Sequence, residues 1–185
     1  NVRIASISKT ALVIGTTGIT NTQKAKIKSY SKKIPILMSS NMSVGVNLLF
    51  DLVRQAASSL HGDEYDIEIA ETHHKHKLDA PSGTALSLGE HAAAGRKTKL
   101  DKKKVLDRTK SLKKRKNGDI GFSVTRGGEI AGEHTVSFIS RDDRIDFYHK
   151  ANNRSIFVTG ALKAALFVYR QKSGFFDMSS LLKIK

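Results

Sequence analysis

Between Glu71 and Ala85 the chain reads Glu-Thr-His-His-Lys-His-Lys-Leu-Asp-Ala-Pro-Ser-Gly-Thr-Ala, which crowds His73, His74, His76 and Lys77 into one short span. Histidine gives up a proton near neutral pH, and lysine does so once burial or neighbouring cations lower its pKa. Mutual repulsion within the cluster predicts that some of these pKa values are lowered. Just downstream, Pro81-Ser82-Gly83-Thr84 has the composition of a turn that opens a helix. Such a turn offers backbone N–H groups, hydroxyls and the positive end of a helix dipole to an anion. Gly83 lets a carboxylate approach the backbone closely. Proton donors beside an anion seat suit the protonation of an acidic small molecule. The same residues are also compatible with a plain polar loop, in which Pro81 is an ordinary first-turn proline. No metal is expected, because the histidines form no i,i+4 pair on an evident helix and the chain has no cysteine.

The elements around this span follow from apolar periodicity. Ala11-Leu12-Val13-Ile14 reads as a buried strand running into the turn Gly15-Thr16-Thr17-Gly18. Thr20 and Gln23 have capping-box spacing, which predicts a helix to about Lys32. Ile34–Met38 reads as the next strand, and Ser39-Ser40-Asn41-Met42-Ser43 as a polar turn. From Val46, apolar residues recur at helical spacing to Leu60. This repeated strand-turn-helix order is the grammar of a doubly wound nucleotide-binding sheet. Asp66–Glu71 alternates with period two and predicts a strand buried on one face, with His73 at its end facing a cleft. A helix is expected over 83–94, strands at 120–125, 134–140 and 145–150, then a helix over 155–169 and a short tail. A lone G-x-x-G is weak evidence for a cofactor; a tight turn alone explains Gly15–Gly18, and Asn41 has the same standing.

With 185 residues and 39% hydrophobic content the chain can bury a substantial core. It has no run of the ~20 apolar residues that a membrane helix needs, and its N-terminus has no signal-peptide organisation. A cytoplasmic protein is the expectation. The absence of cysteine excludes a disulfide framework, Cys-ligated zinc and a thiol nucleophile. The net charge of +15 is concentrated in 102–104 and 108–116 rather than along one amphipathic helix. That stretch has no aromatic residue to stack on a base, so a solvated loop or an anion-binding loop is favoured over nucleic-acid recognition.

Taken together, several segments resemble the dihydrodipicolinate reductase (4-hydroxy-tetrahydrodipicolinate reductase) family. They are Val13–Gly18, Asn41–Asn47, Glu71–Ala85, Gly118–Phe122, Arg126–His134 and Ser173–Met178, in family order and spacing. The resemblance implies an α/β chain: a partial Rossmann-type dinucleotide-binding domain (1–43 and about 155–185) plus an α+β substrate and oligomerisation domain (44–154) with a mixed sheet. It implies NADPH- or NADH-dependent reduction of a cyclic dicarboxylate in lysine and diaminopimelate biosynthesis, by a homotetramer. His73 matches the family's catalytic histidine and Lys77 its proton-donating lysine. His74, Gly83 and Thr84 match contacts to the substrate carboxylates. Gly15, Thr16 and Thr17 match the nicotinamide-side cofactor turn, and Ser39, Ser40, Asn41 and Met42 a second cofactor segment.

Two departures stand out. The family's opening strand and G-x-x-G-x-x-G turn have no counterpart beyond Asn1–Ala5, which resemble the very first strand. The expectation is that the chain joins stretches flanking a missing segment, with adenosine-pyrophosphate affinity reduced if the loss is real. Between Arg108 and Gly118, Ser111, Leu112, Lys113 and Lys114 replace the family's usual loop residues, which leaves that loop without an assigned role. The rival expectation is a degenerate, non-catalytic basic module that binds nucleic acid or an acidic partner.

Overall fold

The computed structural model describes residues 1–109 and 112–182, so Lys110 and Ser111 of the basic stretch lie outside the described residues. Two compact units emerge, Asn1–Leu48 with Arg154–Lys185, and Leu49–Asn153.

The first unit is a parallel sheet of β1 (Leu12–Ile14), β2 (Pro35–Met38) and β8 (Gly174–Phe176), with β2 in the centre. Alternation along the strands separates two apolar layers. Leu12, Ile14, Ile36 and Phe175 face α1 (Val2–Ile7) and α2 (Asn21–Tyr30), packing with Ala5, Ile27 and Tyr30. Val13, Leu37 and Phe176 face α5 (Ser155–Tyr169) and α6 (Met178–Leu182), packing with Met42, Ala164, Val168 and Met178. A central parallel strand covered on both faces needs a continuous apolar run, which is what Ile34–Met38 supplies. Ile36 and Leu37 have no exposed surface, and burying such side chains contributes about 1.5–3 kcal/mol each. The capping box forms as expected: Thr20 Oγ1 accepts the Gln23 N–H at 3.2 Å, and Gln23 Oε1 accepts the Thr20 N–H at 2.9 Å.

Two expectations need correction here. Residues 1–5 are not a strand. Asn1 C=O accepts the Ala5 N–H at 3.0 Å and begins the helix α1, whose Val2 and Ala5 share the apolar face against Ile34 and Ile36. An alternation this short does not separate strand from helix. The helix passes into β1 through backbone bonds from Ser8 to Ile4 and from Thr10 to Ala5, so the retained first strand behind the expected join is not there. The closing stretch is more than a tail: β8 completes the sheet, with Gly174 at φ +135° in a conformation that side chains rarely adopt.

The second unit is a mixed five-stranded sheet in the order β4 (Lys104–Val105), β5 (Ile120–Arg126), β3 (Asp66–His73), β6 (Glu133–Ile139) and β7 (Arg144–Lys150). β3 runs parallel to β5 and antiparallel to β6. The short strand β4 and a 3-10 turn at Leu100–Lys102 lie at the basic stretch, where no element was expected. On β3 the buried positions are Ile67, Ile69, Glu71 and His73. The helix α4 (Gly83–Gly95) buries Ala85, Leu88, Gly89, Ala92 and Ala93, and its Gly89 meets Phe122 of β5. The helix α3 (Val44–Ser59) crosses the boundary between the units; its Phe50 stacks on His91 of α4 at 4.9 Å. Apolar packing therefore occupies the first half of β3's buried face, and a carboxylate and an imidazole occupy the second.

Candidate active site

Glu71 is 2% exposed, and its carboxylate is fully engaged. Arg126, at the end of β5, approaches it bidentately, Nη1 to Oε2 at 2.9 Å and Nη2 to Oε1 at 2.8 Å. The Ser82 N–H donates to Oε1 at 2.9 Å, and His73 Nδ1 makes a short hydrogen bond to Oε2. Arg126 Nη2 also donates to the Asp79 carbonyl at 2.6 Å. Ser82 caps α4, its Oγ accepting the Ala85 N–H at 3.1 Å, and lies 3.3 Å from His134 Nε2. His134 meets the His73 ring edge to face at 5.1 Å. Gly132, at φ +149°, lets the loop before β6 pass His73, since a Cβ there would lie 2.9 Å from Nε2.

Burial pulls the Glu71 pKa upward, but the hydrogen bonds from Arg126, Ser82 and His73 outweigh it and hold the carboxyl below its ordinary value. Burial lowers the His73 pKa, Glu71 opposes this, and Lys77 and Arg126 add to the lowering. The crowding expected from sequence is thus present, but it is secondary to burial. His134 is pushed down to about 4, by burial first and by His73 next. This predicts acid sensitivity with a definite sign. An unfolded chain protonates His134 near 6.5 while the folded chain resists until about 4. The unfolded state therefore holds more protons in that window, and stability falls as pH falls. The His134 contribution amounts to about 3 kcal/mol across the window. Urea unfolding at a series of pH values should show this slope, and His134→Gln should flatten it by that share.

Past His73 the chain turns back under the loop between β5 and β6. The His74 N–H donates to Ile130 O at 2.8 Å, and Gly127 N–H to His73 O at 3.0 Å. Lys77 Nζ sits 2.8 Å from Asp79 Oδ1. That carboxyl is held below the ordinary range by Lys77 foremost, with a further contribution from the Gly83 N–H. Gly83 and Thr84 are the first residues of α4, and the position a Gly83 Cβ would take is open space. Pro81 precedes the Ser82 cap, so it stands outside the first turn. The structure thus brings His73, His74, Lys77, Gly83 and Thr84 into one loop-and-helix assembly in the second unit. Among the described residues no cluster of side chains suits a metal, and no helix is long and apolar enough to cross a membrane.

The other residues singled out from sequence lie in the first unit. Gly15, Thr16 and Thr17 follow β1, and Ser39–Met42 follow β2, at the C-terminal ends of adjacent parallel strands. The two turns touch: Ser39 N–H donates to Ile14 O at 3.1 Å, and a Cβ on Gly15 would lie 3.3 Å from Met42 Cε. Asn41 Oδ1 accepts the Ser43 N–H at 2.8 Å, and Asn47 Nδ2 donates to Asn41 O at 2.8 Å. Parallel sheets bind ligands at such strand ends. Gly18, in a φ +77° turn with nothing within 4 Å of its Cβ position, leaves backbone open there, while Gly15 lies against Met42.

Glu71, Asp79, Arg126 and His134 carry no role in the sequence analysis, although all lie in the segments quoted there, and Ser82 was expected only as part of the anion-binding turn. A signal for Glu71 was present: a period of two from Ile67 and Ile69 lands on 71 and 73. The basic loop also has an anchor. Arg108 and Arg115 both bind Glu68 Oε1, at 2.7 and 3.2 Å, and Arg115 reaches Asp66 Oδ1 at 2.9 Å. Gly121 gives the Glu68 carboxylate its room, since a Cβ there would lie 1.9 Å from Oε2.

The class defined by this geometry is a two-unit α/β chain in which a doubly covered parallel sheet is joined to a mixed sheet carrying a histidine–lysine cluster at a helix start. Comparison with known proteins narrows it. The family model for dihydrodipicolinate reductase, N-terminus, matches residues 1–42, and that for dihydrodipicolinate reductase, C-terminus, matches 45–182. The 4-hydroxy-tetrahydrodipicolinate reductase of Zymomonas mobilis is 47% identical over 182 residues, covering 98% of this chain and 71% of the relative. Those of Rhodopseudomonas palustris strain BisB18 and Bartonella tribocorum are 50% and 46% identical, covering 98% and 96% of this chain and 67% and 66% of the relatives. A dipicolinate-bound dihydrodipicolinate reductase from Paenisporosarcina sp. TG-14 shares the fold, with a TM-score of 0.75 at 24% identity over 95% of this chain and 66% of that one. The chain belongs to the dihydrodipicolinate reductase family, and it spans about two thirds of the length of these relatives.

Proposed function

We propose that the chain carries the substrate site and part of the cofactor site of an NADPH- or NADH-dependent 4-hydroxy-tetrahydrodipicolinate reductase of lysine and diaminopimelate biosynthesis. The observation that carries the reading is Lys77 and the buried His73 beside the open start of α4. The names of the relatives and the dipicolinate bound to the structurally similar reductase support it.

In this reading a substrate carboxylate lies at the α4 N-terminus, where the Gly83 and Thr84 N–H groups and the helix dipole favour an anion. In the free chain Asp79 stands there as the molecule's own carboxylate, on Lys77 Nζ and the Gly83 N–H. The substrate carboxylate takes its place and leaves Lys77 facing the ring. His74 contacts a substrate carboxylate beside it. The nicotinamide cofactor supplies a hydride when bound at Gly15–Thr17 and Ser39–Met42. The substrate's 4-hydroxyl leaves with an adjacent ring proton as water, giving the unsaturated ring that takes the hydride; Lys77 Nζ–H then delivers the matching proton to the ring carbon that receives the electron pair, and His73 supports that transfer. Placing charge and donor in advance, where water is restricted, is what lowers the barrier.

The assembly proposed is a homotetramer pairing through the second unit's sheet, whose outer strand β7 leaves Ile145 and Tyr148 exposed. A cytoplasmic location accompanies the biosynthetic role. Calorimetric titration with dipicolinate tests the substrate half alone. Saturable binding that weakens in Thr84→Val and in His74→Ala is expected. Binding unaffected by both would refute the placement.

A further inference from the structure

In the second unit the buried Glu71 carboxylate bonds to His73, to the Ser82 that caps α4, and to Arg126, which in turn reaches the Asp79 backbone. We infer that Glu71 is the positioning residue of the site, a single carboxylate that holds the histidine, the anion-binding turn and the loop carrying the lysine in mutual register. Its kinetic consequences rest on the reductase reading above; its geometry does not.

Burying a carboxylate is costly unless it is paired and hydrogen-bonded. On the same face of β3, Ile67 and Ile69 are buried, and a strand end with no task would continue that apolar pattern. A structural brace would need only the Glu71–Arg126 pair. Here the carboxylate accepts two bonds from Arg126, one from the Ser82 N–H and one from His73. Each partner belongs to a different part of the site. The His73 bond fixes the tautomer with hydrogen on Nδ1 and sets the ring plane. The Ser82 bond places the residue that caps α4, and hence the N–H groups of Gly83 and Thr84. Arg126 carries the same carboxylate's influence to the Asp79 backbone at 2.6 Å, and Asp79 holds Lys77 at 2.8 Å. Gly132 leaves His73 Nε2 without a side chain over it, so the ring nitrogen opposite Glu71 stays approachable.

The groups facing His73 are Glu71 on its own strand, Lys77 on the following loop, Arg126 on β5 and His134 on β6. Of these, only Glu71 favours the imidazolium. Glu71→Gln removes that attraction and leaves the three repelling neighbours. Arg126→Gln removes a repelling charge and frees the carboxylate. The test is the His73 titration, followed by imidazole nitrogen NMR and assigned with His73→Asn, together with steady-state kinetics. Glu71→Gln is expected to lower the His73 midpoint and Arg126→Gln to raise it. In Glu71→Gln, kcat should fall ~100-fold with a smaller change in KM, the scale of a misplacement of about 1 Å. A carboxylate that only braces the fold would lower the melting temperature of both variants while leaving the His73 midpoint and kcat in place, and that result overturns the inference. Should Glu71→Gln fail to fold, the upward shift in Arg126→Gln decides it. Opposite shifts in a protein without reductase turnover would support the positioning role and overturn the reductase reading instead.

Discussion

Lys77→Ala is expected to lower kcat about 1000-fold, within the range a positioned general acid supplies, and to change KM only a fewfold. A loss of that size raises the barrier by about 4 kcal/mol. The expectation follows from where the lysine's ammonium stands. Nζ is held at 2.8 Å by an Asp79 carboxylate that itself lies over the start of α4, so the proton is stored beside the anion seat. The Asp79 side chain is 57% exposed and the Lys77 side chain 23%. Removing the lysine therefore strands no buried charge, and the fold should tolerate the change. The proposed carboxylate seat at Gly83, Thr84 and the helix N-terminus remains, so substrate binding should persist. A fall in kcat and kcat/KM by the same factor is the signature of an interaction made in the transition state. If KM rose by the full factor with kcat intact, Lys77 would be a binding residue, and the assignment of the acid would move to His73.

Gly160→Ala should disrupt the other unit. On α5, a Cβ at this position would lie 1.7 Å from the Met42 carbonyl oxygen and 3.6 Å from the Ser43 nitrogen. The obstacle is backbone, which cannot rotate aside, so either the helix or the turn must shift. Overpacking of this kind costs about 1–3 kcal/mol, against which the helix-propensity gain from replacing glycine recovers up to about 1 kcal/mol. Met42 is also the residue lying over Gly15. A displaced turn therefore moves both segments assigned to the cofactor, while Lys77 and α4 belong to the second unit. The expected result is a lower melting temperature and nucleotide binding weakened by a factor of about ten, with dipicolinate affinity unchanged. Nucleotide affinity equal to that of the parent chain would remove the 39–42 turn from the cofactor site.

Much of the fold was legible because its elements obey local rules. The Thr20–Gln23 capping box, the unbroken apolar run of β2 and the alternation of β3 each need only neighbouring residues to be read. Three elements were not legible for the opposite reason. The helix α1 depends on Ile34 and Ile36 to receive Val2 and Ala5. The strand β8 pairs with β2 across most of the chain's length. The two residues of β4 are a strand only because Ile120 and Gly121 pair with them. The site divides along the same line. Its histidines, its lysine and its helix start are adjacent in sequence and announce themselves. Arg126 and His134 reach it from β5 and β6, and Glu71 reads as an ordinary polar residue until the buried face of β3 is known. A lowered pKa somewhere in the cluster was foreseen; His73 has one, but its main cause, burial, depends on packing that charge spacing does not report.

The most direct test of the central claim is oxidation of NADPH and NADH by this protein in the presence of freshly generated 4-hydroxy-tetrahydrodipicolinate, followed against a control without substrate. Substrate-dependent oxidation that dipicolinate inhibits and that Lys77→Ala reduces to near background is expected. Nucleotide oxidation absent with both cofactors, or present and indifferent to Lys77→Ala, would contradict the claim.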